Sequence, residues 1–304
     1  MQVFSSIDEA AASGSLRGCA VALGNFDGVH LGHQALFAAA ARLGRAVALT
    51  FQPHPGKVLQ PTLAPKLIAT PARKLELLEQ QNLFAAVTQP FTLEYAKVSP
   101  AEFEAQLFDL LQVGAVVVGH DFTYGSKRGG TVETLKKAAQ QRGAVVEIVP
   151  PVAVDGVVVS SSRIREYLLE GRVEAAARLL GRPFELAGMV VAGAGRGRTI
   201  GVPTANIDTD NELRPAVGVY AVRTFDDGVW RSGAANIGAK PTFGGSVVTI
   251  EVHLLDYSGN LYGRRLRVRF IERLREERRF ASVGELTAQI GRDIEAARSV
   301  LLKP

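Results

Sequence analysis

The chain has 304 residues, 47 % hydrophobic and 21 % charged. That is ample material for buried cores, and two domains are the natural expectation at this length. No apolar run approaches the roughly 20 residues of a membrane helix, and the first ten residues carry Asp8 and Glu9 instead of a basic-then-apolar leader, so a soluble cytoplasmic protein without a membrane partner is expected. The net charge of +5 comes mostly from the arginine-rich run 264–279. There Leu266, Val268 and Phe270 alternate with Arg265, Arg267 and Arg269, the pattern of a half-exposed strand with a solvated face. No aromatics interleave with the arginines for base stacking, and no nucleic-acid partner is expected. The lone Cys19 excludes an internal disulfide and reads as core filler.

In chain order, apolar runs first alternate with helical patterns. Strands are predicted at 19–23, 46–51, 84–88, 115–118 and 144–149. Thr70-Pro71 supplies an N-cap followed by proline at the first helical position. Ser99-Pro100-Ala101-Glu102 spells a capping box for a helix to about residue 112, and Thr131 opens another that ends near Gly143. Near-continuous apolar strands between helices predict a parallel sheet covered on both faces. Ligands of such sheets bind beyond the carboxyl ends of the strands. Helical residues follow the serine triplet to Glu170 and resume from Val173 to Leu180. Gly181-Arg182-Pro183 breaks that pattern, so the domains are drawn as 1–183 and 184–304. Beyond the break, short alternating strands are predicted at 186–191, 217–224, 229–236, 247–255 and 266–271, with turns at Asp226-Asp227-Gly228 and Ser258-Gly259-Asn260. This texture predicts an antiparallel barrel, followed by a terminal helix over roughly 282–301. The fold class is therefore α/β plus β.

Gly24-Asn25-Phe26-Asp27-Gly28-Val29-His30-Leu31-Gly32-His33 joins the first apolar strand to an alanine-rich helix. A helix N-terminus offers unpaired N–H groups and a positive dipole end, and glycine lets the backbone approach a ligand. Together they make a place to hold phosphate, with a metal pair or a plain polar helix start as alternatives for the two histidines. Three more loops are expected at the same sheet edge. In Phe51-Gln52-Pro53-His54-Pro55 the prolines stiffen a loop that suits a flat aromatic ligand, although a simple turn explains it equally. Gly119-His120-Asp121-Phe122-Thr123-Tyr124-Gly125 follows another apolar strand. Ser160-Ser161-Ser162 with Arg163 and Arg165 puts hydroxyls and guanidinium groups at a helix start, which suits an anionic phosphate; a serine cap beside a solvated arginine is the plainer reading.

These motifs resemble a known family. His-Leu-Gly-His resembles the HxGH motif of the nucleotidylyltransferases, and Ser-Ser-Ser-Arg-Ile-Arg resembles their second signature, with Ser162 replacing threonine and Val159 replacing isoleucine. The longer strings Gly-Asn-Phe-Asp-Gly-Val-His, Phe-x-Pro-His-Pro and Gly-x-Asp-Phe-x-Tyr-Gly make nearly the whole chain similar to the bacterial bifunctional riboflavin kinase/FMN adenylyltransferases, or FAD synthetases. The resemblance implies a Rossmann-like nucleotidylyltransferase domain that adenylylates FMN to FAD, followed by a barrel that phosphorylates riboflavin to FMN. It implies that His30 and His33 are catalytic and that Gly24, Phe26, Asp121, Ser161, Ser162 and Arg165 join them in holding ATP. It places Asp27, His54 and Pro55 at the flavin.

In the second domain Gly201-Val202-Pro203-Thr204-Ala205-Asn206 contains Pro-Thr-Ala-Asn, which resembles the riboflavin kinase signature. The resemblance implies that Thr204 and Asn206 hold Mg²⁺ and ATP phosphates, and oxygen ligands suit such a hard cation. Gly195 and Arg198, in the glycine-rich loop before it, are expected at the same ATP. Glu251-Val252-His253-Leu254-Leu255-Asp256 matches a later motif of the family. A riboflavin hydroxyl is a poor nucleophile until its proton is taken, and Glu251 is the base expected to take it; a solvated strand glutamate is the alternative. Arg275 is expected near product phosphate. Three departures stand out: the family's His-Gly-Asp reads Ala192-Gly193-Ala194-Gly195, Val202 replaces a common phenylalanine, and Lys240 in Asn236-Ile237-Gly238-Ala239-Lys240-Pro241-Thr242-Phe243 replaces a commoner arginine. The competing readings are an adenylyltransferase of another substrate with a non-catalytic barrel, and a basic barrel that binds nucleic acid.

Overall fold

The computed structural model describes residues 1–193, 201–242 and 245–302. The chain divides into two compact units, Met1–Ser160 and Ser161–Pro304. Among the described residues no helix is long and apolar enough to cross a membrane.

In the first unit β1 (Gln2–Phe4), β2 (Ala20–Leu23), β3 (Ala46–Gln52), β4 (Ala85–Pro90), β5 (Ala115–Gly119) and β6 (Val145–Val149) form one sheet in the order β1-β4-β3-β2-β5-β6. Every pairing is parallel. The chain winds outward from β2 through β3 to β4, then returns to lay β5 on the other flank of β2. The switch point of the sheet therefore lies between β2 and β5. β1 is absent from the strands read in the sequence, because three residues are too few to show a period.

The two faces of this sheet differ in bulk. Val21, Leu23, Val47, Leu49, Val87, Val116 and Val118 enter one core. Helices α1 (Ile7–Ser13), α5 (Pro100–Ala105) and α6 (Val132–Gln141) contribute Ile7, Phe103 and Leu135 to it. Ala20, Ala22, Ala46, Ala48, Ala86 and Ala115 point the other way, toward α2 (Leu31–Leu43) and α4 (Pro71–Glu79), which supply Phe37, Leu77 and Leu78. Small side chains here bring α2 close to the sheet and fix where its N-terminus stands. The capping box of Ser99 and Glu102 forms, but the helix it opens passes into a π-helical turn at Gln106–Leu110.

The second unit opens with α7 (Ser161–Leu169) and α8 (Val173–Leu180). Strands β7 (Phe184–Val191), β8 (Ala205–Asp208), β9 (Gly218–Asp226), β10 (Val229–Thr242), β11 (Gly245–Leu254) and β12 (Arg265–Arg275) close into a barrel in the order β7-β8-β11-β10-β9-β12. All its pairings are antiparallel. Tyr220, Val222, Ile237, Ile250, Leu266, Val268 and Phe270 fill its interior. The terminal helix α9 (Val283–Leu301) packs Ala297 and Leu301 against Ala221.

The arginine face of β12 differs from the expected solvated surface. Arg267 stacks on Phe225 at 4.4 Å, and Arg269 stacks on Trp230 at 3.8 Å while pairing with the buried Glu185 at 2.8 Å. The rings come from the β9–β10 hairpin, which lies beside β12 in space and not in sequence. Arg275, expected near product phosphate, makes a bidentate pair with Asp293 of α9, with its closest contact at 2.7 Å.

Candidate active sites

In the first unit the loops after β3, β2 and β5 emerge side by side at one sheet edge, because these strands are neighbours and parallel. The turn after β2 is tightly wound. Phe26, Gly28 and Val29 take left-handed φ values of 50°, 80° and 42°, a conformation that costs non-glycine residues energy unless the surroundings enforce it. Phe26 is fully buried, with its ring 4.8 Å from Phe37 and edge-on to His33 at 5.3 Å. Gly24 makes room for that ring, since a Cβ there would stand 2.8 Å from it.

His30 is the N-cap of α2, and its Nδ1 accepts the His33 N–H at 3.3 Å. The two imidazoles stack with centroids 3.5 Å apart and planes 18° from parallel. His30 is 6 % exposed. The pair is thus one stack fixed to the start of a 13-residue helix, where orphan N–H groups and the dipole favour an anion.

Asp27, expected at the flavin, is 4 % exposed and holds the chain together. Its carboxylate accepts the Ile68 N–H at 3.0 and 3.1 Å and the Ala69 N–H at 3.2 Å. His54 caps α3 (Pro55–Leu59), its Nδ1 accepting the Gly56 N–H at 3.1 Å, with Pro55 in the first turn. The Gln52–Pro53 bond is cis. Asp121 stands exposed just beyond β5. Ser161, Ser162 and Arg165 lie in α7.

One residue here escaped the sequence reading. Lys74 of α4 is 8 % exposed, and its Nζ donates to Thr50 Oγ1 at 3.1 Å and to the carbonyls of Asn25 and Phe51, each at 3.4 Å. Thr50 Oγ1 in turn donates to the Asn25 carbonyl at 3.0 Å. Burial pushes the Lys74 ammonium down from 10.5 to about 8, opposed by the charge of Asp27. Asn25, Asp27, Phe51, His54 and Lys74 line one small cavity. A lysine inside a helical pattern gives no sequence signal of burial; only its place four residues after the Thr70 cap hints at an inward face.

In the barrel Asn206 and Glu251, two of the expected kinase residues, lie on paired strands, with Thr204 just before the first of them. Thr204 directly precedes β8, and Asn206 lies on it. Asn206 pairs with Glu251 of β11, and Glu251 pairs on its other side with Asn236 of β10. Residues directly opposite across antiparallel strands bring their Cβ atoms to about 5 Å. The carboxylate thus rises between two amides. His253 shares its face two residues on, and Nδ1 of its ring lies 2.8 Å from the Pro203 carbonyl, tying the two motifs together. Gly193 lies against the Asn206 amide so closely that a Cβ there would stand 2.1 Å from Nδ2. Gly195, Arg198 and Phe243 lie outside the described residues.

Beside Thr204 opens a cavity of about 480 Å³, lined by Val190, Pro203, Thr204, Tyr257, Asn260 and Tyr262. Its size and its aromatic walls suit a small-molecule ligand. The tyrosines flank a Ser-Gly-Asn turn that the sequence showed only as a turn.

A parallel α/β unit with a helix-capping histidine turn at its switch point, followed by an antiparallel barrel that pairs a carboxylate with an amide, is the architecture expected of a transferase of phosphorus-containing groups. A FAD synthetase family model matches residues 12–163 and a riboflavin kinase model matches residues 180–301. The chain is 40 % identical over 291 residues to a bifunctional riboflavin kinase/FMN adenylyltransferase of Pseudomonas fluorescens, covering 93 % of each chain. It is 38 % identical to that of Bacillus subtilis, covering 91 % of this chain and 90 % of the relative. A crystal structure of a Streptococcus pneumoniae protein named as a macrolide-efflux protein superposes with a TM-score of 0.88 at 33 % identity, over 98 % of this chain and 99 % of that one.

The chain belongs to the bifunctional riboflavin kinase/FMN adenylyltransferase family. It carries the two steps of FAD biosynthesis: its kinase domain phosphorylates riboflavin to FMN, and its synthetase domain transfers an adenylyl group from ATP to FMN.

Proposed function

We propose that the two sites cut ATP at different phosphorus atoms with the residues assigned above. In the first unit, the phosphate of FMN attacks the α-phosphorus of ATP and pyrophosphate leaves. This nucleophile is already ionised at neutral pH, so alignment and charge stabilisation are the main requirements. The His30–His33 stack and the α2 N-terminus receive the ATP phosphates, with Gly24 and Phe26 shaping the turn. His54 and Pro55 face the flavin phosphate, and Asp27 fixes the loop beneath it. Asp121, Ser161, Ser162 and Arg165 are assigned to the nucleotide on their motifs.

In the barrel Glu251 takes the proton of the riboflavin 5′-hydroxyl as its oxygen attacks the γ-phosphorus and ADP leaves. The hydroxyl of Thr204 and the amide oxygen of Asn206 are hard donors on one side of the strand, which fits Mg²⁺. Bound there, the metal would draw charge from the ATP phosphates. The cavity walled by Tyr257 and Tyr262 takes the nucleotide base. The two activities divide near residue 183, close to where the riboflavin kinase model begins. Work on these substrates suits a cytoplasmic enzyme without a nucleic-acid partner.

The observation that carries this reading is the pairing of Asn206 with Glu251. The test incubates the full chain with riboflavin and Mg-ATP and separates the flavins by chromatography. Glu251→Gln is expected to stop FMN formation yet still make FAD from supplied FMN. His30→Ala is expected to do the reverse. Loss of both reactions in either variant refutes separate sites.

A further inference from the structure

We infer that Lys74 is a positioning residue for adenylyl transfer, its buried ammonium tying the turn that receives ATP to the loop that faces the flavin phosphate. The inference rests on the assignment of those two loops just given.

A lysine ammonium has three donors, and here all three are directed at protein oxygens: the Asn25 carbonyl, Thr50 Oγ1 and the Phe51 carbonyl. It is therefore not a direct phosphate ligand and acts through the backbone it holds. Asn25 lies in the turn after β2, and Phe51 lies at the end of β3, leading into Pro53 and His54. One side chain thus links two neighbouring loops whose relative position the sheet alone does not settle. The Asn25 carbonyl is held twice, by Lys74 and by Thr50. Because a trans peptide is planar, fixing that carbonyl also fixes the opposed N–H of Phe26, on a residue assigned to the nucleotide. The titratable groups that share the cavity with the ammonium are Asp27 on the turn and His54 on the loop, and of these Asp27 favours its charge. Asp27 closes the arrangement from the other side by holding the segment that leads into α4.

Phosphoryl chemistry is sensitive to such support. Effective molarity depends on near-attack geometry, and a misplacement of about 1 Å costs about 100-fold in rate. Loosening the tie should leave each substrate able to bind its own loop while the two reacting groups lose alignment. The expected signature is a fall in kcat with little change in KM.

The test uses the full chain with Lys74→Met and Lys74→Arg. FAD formation from FMN and Mg-ATP is measured across pH, and riboflavin phosphorylation by the same preparations is the internal control. Lys74→Met is expected to lower kcat for FAD formation about 100-fold, with KM for ATP and FMN and the kinase rate nearly unchanged. In the unaltered chain FAD formation should fall as pH rises through about 8, where the ammonium loses its proton. Lys74→Arg keeps its charge and should shift that alkaline limb upward even if its rate is lower. Unchanged kcat in Lys74→Met, equal loss of both activities, or an alkaline limb identical in Lys74→Arg would overturn the role of Lys74. Failure of the unaltered chain to make FAD at any pH would instead overturn the assignment of the unit beneath it.

Discussion

Replacing Asp27 tests how the first site is held together. Its carboxylate accepts two backbone amides, those of Ile68 and Ala69, at 3.0 to 3.2 Å in a fully buried position. Asp27→Ala orphans both donors. Each buried, unsatisfied group costs about 1–3 kcal/mol, so the loss should be about 2–6 kcal/mol. Asp27→Asn keeps an oxygen to accept but loses the charge, and charge-assisted bonds are roughly twice as strong as neutral ones; about 1–2 kcal/mol is expected. Both variants also remove the charge that favours the Lys74 ammonium, so its pKa should fall below about 8 and the alkaline limb of FAD formation should move to lower pH. Urea unfolding gives the stabilities, and hydrogen–deuterium exchange across residues 60–80 shows whether the amides of Ile68 and Ala69 open. If Asp27→Ala loses less than about 1 kcal/mol and exchange there is unchanged, the clamp is wrongly described.

Other outcomes follow from the same geometry. Gly28→Ala places a Cβ at φ +80° and 2.9 Å from Ile68, which should destabilise the first unit by about 1–3 kcal/mol in urea unfolding and slow FAD formation while sparing the kinase. Asn206→Ala should raise the Mg²⁺ concentration needed for half-maximal riboflavin phosphorylation, and a metal titration unchanged from that of the unaltered chain would remove Asn206 from the cation. Lys74 has a folded pKa below its unfolded value of 10.5. Between about pH 8 and 10.5 the unfolded chain therefore binds more protons, and stability should rise by up to about 3 kcal/mol across that window. Comparing the pH slopes of urea unfolding for the unaltered chain and Lys74→Met isolates this contribution.

Much of the fold could be read from local pattern. Apolar runs such as Val47–Leu49 and Val116–Val118 mark buried parallel strands, and the caps at Thr70, Ser99 and Thr131 start helices as expected. What stayed hidden was set by pairing between distant segments. β1 and β8 are too short to show a period and exist because β4 and β11 receive them. The rings beneath Arg267 and Arg269 arrive from another hairpin. At the sites, the residue types of the motifs were legible, and Glu251 and Asn206, from two separate motifs, lie opposite each other on neighbouring strands. The inward role of Asp27 and the burial of Lys74 were not, because a charged side chain looks the same in sequence whether it meets water or a carbonyl.

On the reading proposed above, the left-handed turn at Phe26, Gly28 and Val29 bears on how the first unit meets its nucleotide. Its awkward backbone is wound while the chain folds, under the pressure of Phe37 and the grip of Ile68 and Ala69 on Asp27. The ordering is thus complete before the guest arrives and does not recur with each catalytic cycle. Readiness for catalysis and integrity of the core become one property in this half of the molecule, so a change that relaxes the alanine-lined packing under α2 would blunt adenylylation well before it unfolded the protein.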